Sequence, residues 1–341
     1  MNLAAVTVRA LEGAPLPDPL AEAGIRHLVA RTQRKLARAP SEADAAFVRG
    51  MAAHAIAEHT VAANAQHYEL PAAFFSQVLG PRRKYSCCLY VPGDDLAAAE
   101  VRALKETCRH AALAEGQSIL ELGCGWGALS LWMAERYPRS RVTAVSNSHS
   151  QRRHIEGEAR RLGLTNLSVV TADMNLFATA ERFDRVVSVE MFEHMSNWAD
   201  LLQRVRGWLK PEGRLFIHVF AHASTPYRFD VADPSDWVAQ HFFAGGVMPS
   251  HGLIRQFEGL FELEDEWRWD GGHYQRTARD WLANLDRTQT DAMAILTPVY
   301  GVDARLWLRR WRLFFLATAG LFGHAGGQVW GVSHYRLKPT A

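Results

Sequence analysis

The sequence predicts an α/β protein built on a doubly wound, mostly parallel sheet. Three observations predict it. Strands alternate with helices from residue 116 to residue 220, a glycine-rich turn joins the first strand of that series to its helix, and the strands are short apolar runs. Such alternation marks βαβ crossovers, and strands lacking a polar face belong to a sheet covered on both sides.

The first 110 or so residues read as helical. Residues 20–39 carry Ile25, Leu28, Val29 and Leu36 at helical spacing, with Arg26, Arg31, Arg34, Lys35 and Arg38 around them. That basic face reads as solvated surface; contact with an anionic membrane would need a stronger apolar face. Ser41 to Asp44 has the S-x-x-D form that can cap a following helix, and residues 45–59 are rich in helix formers. The strands then fall at 118–122, 141–145, 167–171, 185–189 and 214–220, with helices at 128–137, 150–162 and 198–209. After residue 220 the rhythm breaks. A loop-rich stretch with Pro226, Pro234, Gly245, Gly246 and Pro249 leads to an aromatic segment at 262–269. Helical stretches at 276–288 and 303–318 follow, and a strand at 329–337 ends the series. The expected organisation is a helical cap over 1–115 and a core over 116–341, with a substrate-covering lid within about 221–325.

Composition excludes several functions. Over 341 residues, 38 Lys and Arg against 36 Asp and Glu leave +2, which is no chain-wide nucleic-acid binder. Cys87, Cys88, Cys108 and Cys124 form neither a disulfide framework nor a C-x-x-C pair, so no metal is expected. Residues 1–9 include Arg9 and lack a cleavage signature, so no secretory signal is expected. Residues 313–322 are about half the roughly 20 residues of a membrane helix. The expectation is a cytoplasmic protein with no stable membrane insertion. Its 11 Trp, 8 Tyr and 16 Phe make it aromatic-rich.

The turn Glu121-Leu-Gly123-Cys-Gly125-Trp-Gly127 lets a ligand lie against bare backbone. Its G-x-G-x-G spacing departs from the dinucleotide fingerprint G-x-G-x-x-G. A purely structural turn would explain the glycines alone. Glu121 suits a ligand with a cationic end, and S-adenosylmethionine carries an ammonium and a sulfonium. At the end of the second strand, where such folds seat ribose hydroxyls, stand Ser146-Asn147 with Gln151 one turn later; an Asn side chain can both accept and donate. Asp173, with Met174 beside it, follows the third strand and is placed for the adenine.

Four motifs, Lys84-Tyr-Ser-Cys-Cys-Leu-Tyr90, Leu120-Glu-Leu-Gly-Cys-Gly-Trp-Gly127, Val142-Thr-Ala-Val-Ser-Asn-Ser148 and Val189-Glu-Met-Phe-Glu-His-Met195, resemble the cyclopropane-fatty-acid-synthase superfamily of methyltransferases. Glu193-His-Met-Ser-Asn197, Gly272-His-Tyr-Gln-Arg-Thr277 and Trp330-Gly-Val-Ser-His-Tyr335 are similar to its coclaurine N-methyltransferase branch. The resemblance runs from about residue 65 to residue 337. It implies a class I, Rossmann-like methyltransferase core with a mostly parallel seven-stranded sheet, an N-terminal helical cap and C-terminal lid insertions. It also implies that Tyr85 and Ser86 reach over the adenosylmethionine and that Gly123, Gly125, Asn147, Gln151 and Asp173 line it. The full expected cofactor set adds Glu121, Gly127 and Met174.

Glu190, Glu193 and His194 follow the fourth strand, and a helical turn there would put them on one face. A metal site is one reading, but the spacing is no H-E-x-x-H and methyl transfer from a sulfonium needs no metal. An acid-rich helix start is the bland reading. The chemical reading is that an alkyl amine, mostly protonated at neutral pH, needs a carboxylate to hold it and a base to take its proton. Histidine titrates near pH 6.5 and suits that exchange. In the N-methyltransferase branch the Glu-x-x-Glu-His cluster has this role, which the resemblance carries onto Glu190, Glu193 and His194. Tyr274 is a further site residue by its motif. His218 and His222 each read equally as structural or catalytic.

The expected function is therefore N-methylation of a small, largely apolar amine, with a homodimer left open. The alternative is C-methylation or cyclopropanation of a fatty-acyl lipid. Lipid-modifying relatives use bound bicarbonate, whose ligands would fall on Cys87, Glu193, His218, Phe220 and Tyr274. Two features oppose it: no cysteine stands around Ala317-Thr318, and Glu190 occupies a position where the lipid branch tends to carry glycine. A buried carboxylate is costly beside an acyl chain and stabilising beside a cationic amine. A scaffold that binds cofactor without catalysis is the third reading, disfavoured by the intact acid–base cluster. Aromatics such as Trp267, Trp269, Phe242 and Phe243 are core residues first, though some should line the lid, where their faces attract cations.

Overall fold

The computed structural model describes residues 17–58, 70–233 and 236–340. Residues 1–9, read above for a signal, His59 at the end of the second expected helix, and Pro234 of the loop-rich stretch lie outside the described residues.

Helix α1 (Asp18–Leu36) buries Ala21, Ile25, Val29 and Leu36, the stripe that a 3.6-residue period dictates. Helix α2 (Ala43–Met51) has Glu42 rather than Ser41 at its cap position and no side-chain cap; Asp44, inside its first turn, accepts from the Ser250 hydroxyl at 2.5 Å. It stops at Met51, well short of the expected residue 59. Helices α3 (Ala72–Val78) and α4 (Leu96–His110) follow, the latter capped by Asp95 accepting from the Ala98 amide.

The core then runs β1 (Ser118–Leu122), α5 (Ala128–Arg136), β2 (Arg141–Ser146), α6 (His149–Leu162), β3 (Leu167–Thr171), β4 (Phe183–Val189), α7 (Trp198–Trp208) and β5 (Leu209–His222). All five residues of β1 are buried, as a central strand covered on both faces requires. Two short strands, β6 (Tyr227–Arg228) and β7 (Val247–Met248), flank α8 (Trp237–His241). The chain continues through β8 (Phe261–Asp270), α9 (Gly271–Arg287), α10 (Gln289–Tyr300), α11 (Ala304–Phe322) and β9 (Trp330–Pro339).

The seven-stranded sheet has the order β3-β2-β1-β4-β5-β9-β8. Strands β1 to β5 pair in parallel, while β9 is antiparallel to both β5 and β8 and is the one reversed strand of this sheet. The aromatic segment of the sequence is thus the edge strand β8. Helix α10 had no counterpart in the sequence reading: it buries only Ala292 and Leu296 and contains Pro298, so it shows little apolar stripe. Helices α1, α3, α9, α10 and α11 share one apolar core through Ile25, Phe74, Phe75, Trp281, Leu285, Leu296, Trp311 and Phe315. Strand order reverses direction about β1 and β4, and the crevice at their carboxyl ends is where such sheets hold ligands. No helix among the described residues is long and apolar enough to cross a membrane.

Candidate active site

Two cavities meet at the carboxyl ends of the parallel strands. The first lies over β1, β2 and β4. It is lined by Tyr85, Ser86, Glu121, Gly123, Gly125, Asn147, Gln151, Asp173 and Met174, nine of the ten residues expected to face the cofactor. Gly123 has φ +77°, and a Cβ there would lie 2.5 Å from the Met191 side chain. Gly127 is the exception. It does not line the cavity; it begins α5 at φ +84°, and a Cβ there would lie 2.6 Å from the Ile155 side chain. Its bareness serves the packing of α5 against α6.

The polar groups of this cleft are set for a ligand. Glu121 is buried, takes a hydrogen bond from the Ser130 hydroxyl, and is pushed up to about 8 by burial, which that bond only partly offsets. A cationic group beside it would restore the carboxylate. Gln151 accepts from the Ser146 hydroxyl at 2.6 Å, while its amide nitrogen is buried without a partner among the described residues. A buried donor left unpaired is costly and marks a place for an acceptor. Asp173 accepts from the Asn175 amide at 2.8 Å. These features fit S-adenosylmethionine. Sequence reasoning assigned no role to Arg83, Lys84 and Trp126, which also line the cleft; an aromatic within the glycine turn was the available signal for Trp126. Lys84 is buried and donates to the Ser86 hydroxyl at 2.5 Å and the Cys87 carbonyl at 2.6 Å.

The second cavity lies under α1, α9 and α11. Its wall is largely apolar and aromatic, with Ile25, Val29, Phe220, Phe229, Phe243, Trp281, Phe314 and Phe322. Phe243 therefore lines it as a lid residue would, whereas Phe242 is fully buried and stacks on Phe314. The charged lining is acidic: Glu190, Glu193, Asp230, Asp233 and Asp236 against Lys35 and Arg228. Tyr85, Glu190 and His194 line both cavities, so they stand at the junction.

Glu190 is not on a helix. It holds φ +48° at the end of β4, in the left-handed region that disfavours a side chain, and the short 3-10 helix begins only at Phe192. The strain places its carboxylate where a backbone amide, a phenol hydroxyl and an imidazole nitrogen converge. Oε1 accepts from the Cys87 amide at 2.8 Å and lies 3.1 Å from His218 Nε2; Oε2 accepts from the Tyr274 hydroxyl at 2.6 Å. Burial raises its pKa, opposed by the Lys84 charge and by these bonds.

Glu193 is fully buried, and neither carboxylate oxygen has a hydrogen-bond partner among the described residues. Burial pushes it well above the usual carboxylate range and the neighbouring Glu190 charge adds to this, with the nearby amides of Glu193 and Phe220 offsetting part. His194 stacks on Phe243 with ring centroids 4.3 Å apart.

Two expected residues stand back from the reacting space. His218 lines neither cavity; it is fully buried behind Glu190, with its pKa held well below the usual value by burial and the Lys84 charge. Tyr274 lines the second cavity, but its hydroxyl is turned to Glu190. His222 is structural, taking the Ser224 and Thr225 amides on Nδ1, with Nε2 3.1 Å from the side-chain Oε1 of Gln33.

Residues 56–331 match the family model described as mycolic acid cyclopropane synthetase. The chain is 35% identical over 280 residues to (S)-coclaurine N-methyltransferase of Thalictrum flavum subsp. glaucum, covering 80% of this chain and 77% of that one. It is 29% identical to cyclopropane-fatty-acyl-phospholipid synthase of Escherichia coli (strain K12), over 78% of this chain and 66% of that one. A crystal structure of coclaurine N-methyltransferase bound to N-methylheliamine and S-adenosylhomocysteine superposes with a TM-score of 0.91 at 31% identity, covering 98% of each chain.

Proposed function

From the premise that the chain belongs to the mycolic acid cyclopropane synthetase family of S-adenosylmethionine-dependent methyltransferases, we propose that it N-methylates a small, largely apolar amine. The observation that carries this is the acid pair at the junction of the cavities. Glu193 borders an aromatic cavity with both carboxylate oxygens buried and unpartnered among the described residues, beside a Glu190 carboxylate that is already hydrogen-bonded. Two buried carboxylates repel each other and are poorly solvated, and an ammonium between them relieves both. An acyl chain relieves neither.

When bound, S-adenosylmethionine supplies an electrophilic methyl on a sulfonium. Glu121 would meet its ammonium end, and Asn147 and Gln151 would hold its ribose. At the junction the residues do the rest. Glu193 holds the substrate ammonium, and Glu193 or His194 takes its proton, freeing the nitrogen lone pair. The aromatic wall excludes water and aligns the nitrogen with the methyl, an orientation effect that can supply much of the acceleration.

The residues do not fit bicarbonate. Three of the groups that would hold it, the Cys87 amide, His218 and the Tyr274 hydroxyl, are already directed at the Glu190 carboxylate. This opposes the lipid reading, since no step through bicarbonate can be drawn. The test is labelled adenosylmethionine offered with tetrahydroisoquinoline-like amines or with unsaturated phospholipid vesicles. Label is expected in an amine; label in lipid and in no amine would overturn the reading.

A further inference from the structure

Methyl transfer to an amine leaves one proton behind, and Glu190 is walled in by protein on the side away from the cavities. On that side a line of three buried histidines begins. His218 Nε2 lies 3.1 Å from Glu190 Oε1, and its Nδ1 lies 2.8 Å from His334 Nε2. The other nitrogen of that ring, His334 Nδ1, lies 2.8 Å from His110 Nδ1. His110 Nε2 is 3.1 Å from Glu106 Oε1, whose side chain is 28% exposed at the surface. The five groups come from β4, β5, β9 and α4, and no ring in the line lacks a partner on either nitrogen.

We propose that Glu190, His218, His334, His110 and Glu106 form a proton relay that carries the proton of the methylated amine from the active site to solvent. The proposal rests on the methyl-transfer reading above.

The outer end supports two states of the line. With each ring protonated on its outward nitrogen, His218 donates to His334, His334 to His110, and His110 Nε2–H to the Glu106 carboxylate. With each protonated inward, His218 donates to Glu190, and the bare Nε2 of His110 accepts from the Arg109 guanidinium, whose Nη2 lies 2.7 Å away. As it stands, His110 Nε2 meets the Arg109 donor of the inward polarity, and the outward polarity requires the guanidinium to move aside so that Nε2–H reaches Glu106.

The balance is simple. The amine lone pair forms the N–C bond, the C–S electron pair stays on sulfur, and the N–H proton, taken first by Glu193 or His194, is handed on to Glu190. Glu190 gives a proton to His218 Nε2 as His218 Nδ1–H moves to His334, His334 Nδ1–H to His110, and His110 Nε2–H to Glu106. Each ring regains its outward tautomer by exchange with solvent protons, one lost from the inward nitrogen for each one gained on the outward nitrogen.

The surroundings favour neutral rings that hop a proton over rings that store one. Lys84 faces His218 and His334 from the cap loop, Arg336 and Arg109 face His110, and burial lowers all three pKa values. Trp267 stacks on His110 at 3.7 Å and Trp269 lies 4.3 Å from His334, which closes the line to water from the edge strand β8.

The test uses the full chain and the best amine of the panel. His334→Phe removes the central link without touching either cavity, and Glu106→Gln removes only the outer acceptor. Both should lower kcat, His334→Phe by roughly tenfold or more, with the KM of each substrate within about twofold. The solvent deuterium isotope effect should rise, and imidazole buffer should restore part of the rate. Unchanged kcat and isotope effect in Glu106→Gln at low buffer would overturn the relay even if His334→Phe does not fold. Nitrogen-15 spectra of histidine-labelled protein judge it without turnover. The three rings should change tautomer together as Glu190 loses its proton with rising pH; rings fixed in one polarity throughout would overturn it. Should no amine be methylated while the rings still switch, the substrate reading fails and the relay stands.

Discussion

The hydroxyl of Tyr274 on α9 lies 2.6 Å from Oε2 of Glu190 at the end of β4. One bond therefore ties a helix roofing the second cavity to the strand end at the junction of both cavities. It also holds the carboxylate: burial raises the Glu190 pKa, and the phenol is among the groups that oppose the rise. Tyr274→Phe keeps the ring stacked on Phe322, whose centroid is 4.3 Å away, and deletes only the donor. The Glu190 pKa should climb further, moving the acid limb of the kcat profile to higher pH. A bond to a charged acceptor is worth roughly 1.5–3 kcal/mol, so a loss of about tenfold or more in kcat is expected, with adenosylmethionine affinity unchanged by calorimetry.

Glu121 should make the ligand-free protein lose stability as pH rises. Its folded pKa is pushed up to about 8, so the folded state binds the extra proton. The contribution is fully present below the unfolded carboxylate pKa and is lost as pH climbs through the folded value. Glu121→Gln mimics the neutral acid. Its melting temperature should match the parent near about pH 4 and exceed it above about pH 8, while its affinity for adenosylmethionine falls. Parallel melting curves of the two proteins across that range would refute the assignment.

Glu190→Gly should empty an anion hole. Glycine suits φ +48° and relieves roughly 1–2 kcal/mol of backbone strain. The Cys87 amide, His218 and Tyr274 are then left unpaired, at roughly 1–3 kcal/mol per buried group. Net stability should fall and turnover should collapse. Added formate or bicarbonate, a planar carboxylate matching the lost one, should restore part of the rate; no rescue at any concentration would show that the three donors do not act through this carboxylate.

Much of this was legible along the chain. The alternation of β1 to β5 with their helices, the Gly123 turn and the Asn147 strand end are local, written in a few consecutive residues, and the fold places them as their periods require. Other features had weaker local signals. Helix α10 lacks a buried stripe, and α2 is capped at Glu42 without a side-chain bond while Asp44 turns to Ser250, 206 residues away. The helical face expected for Glu190, Glu193 and His194 was reached by a left-handed residue and a 3-10 turn instead.

By itself, then, the sequence determined the sheet, the cofactor cleft and the identity of the acid cluster, because periodicity, glycine turns and strand ends are near-neighbour properties. Only the tertiary structure decided what each acid does. Glu190 meets Cys87 across 103 positions and Tyr274 across 84, and His110 meets His334 across 224. Pairing over such distances is set by how strands and helices pack, not by spacing along the chain. Burial then turns those contacts into chemistry, since removing water makes each carboxylate and imidazole depend on the partners the fold brings to it.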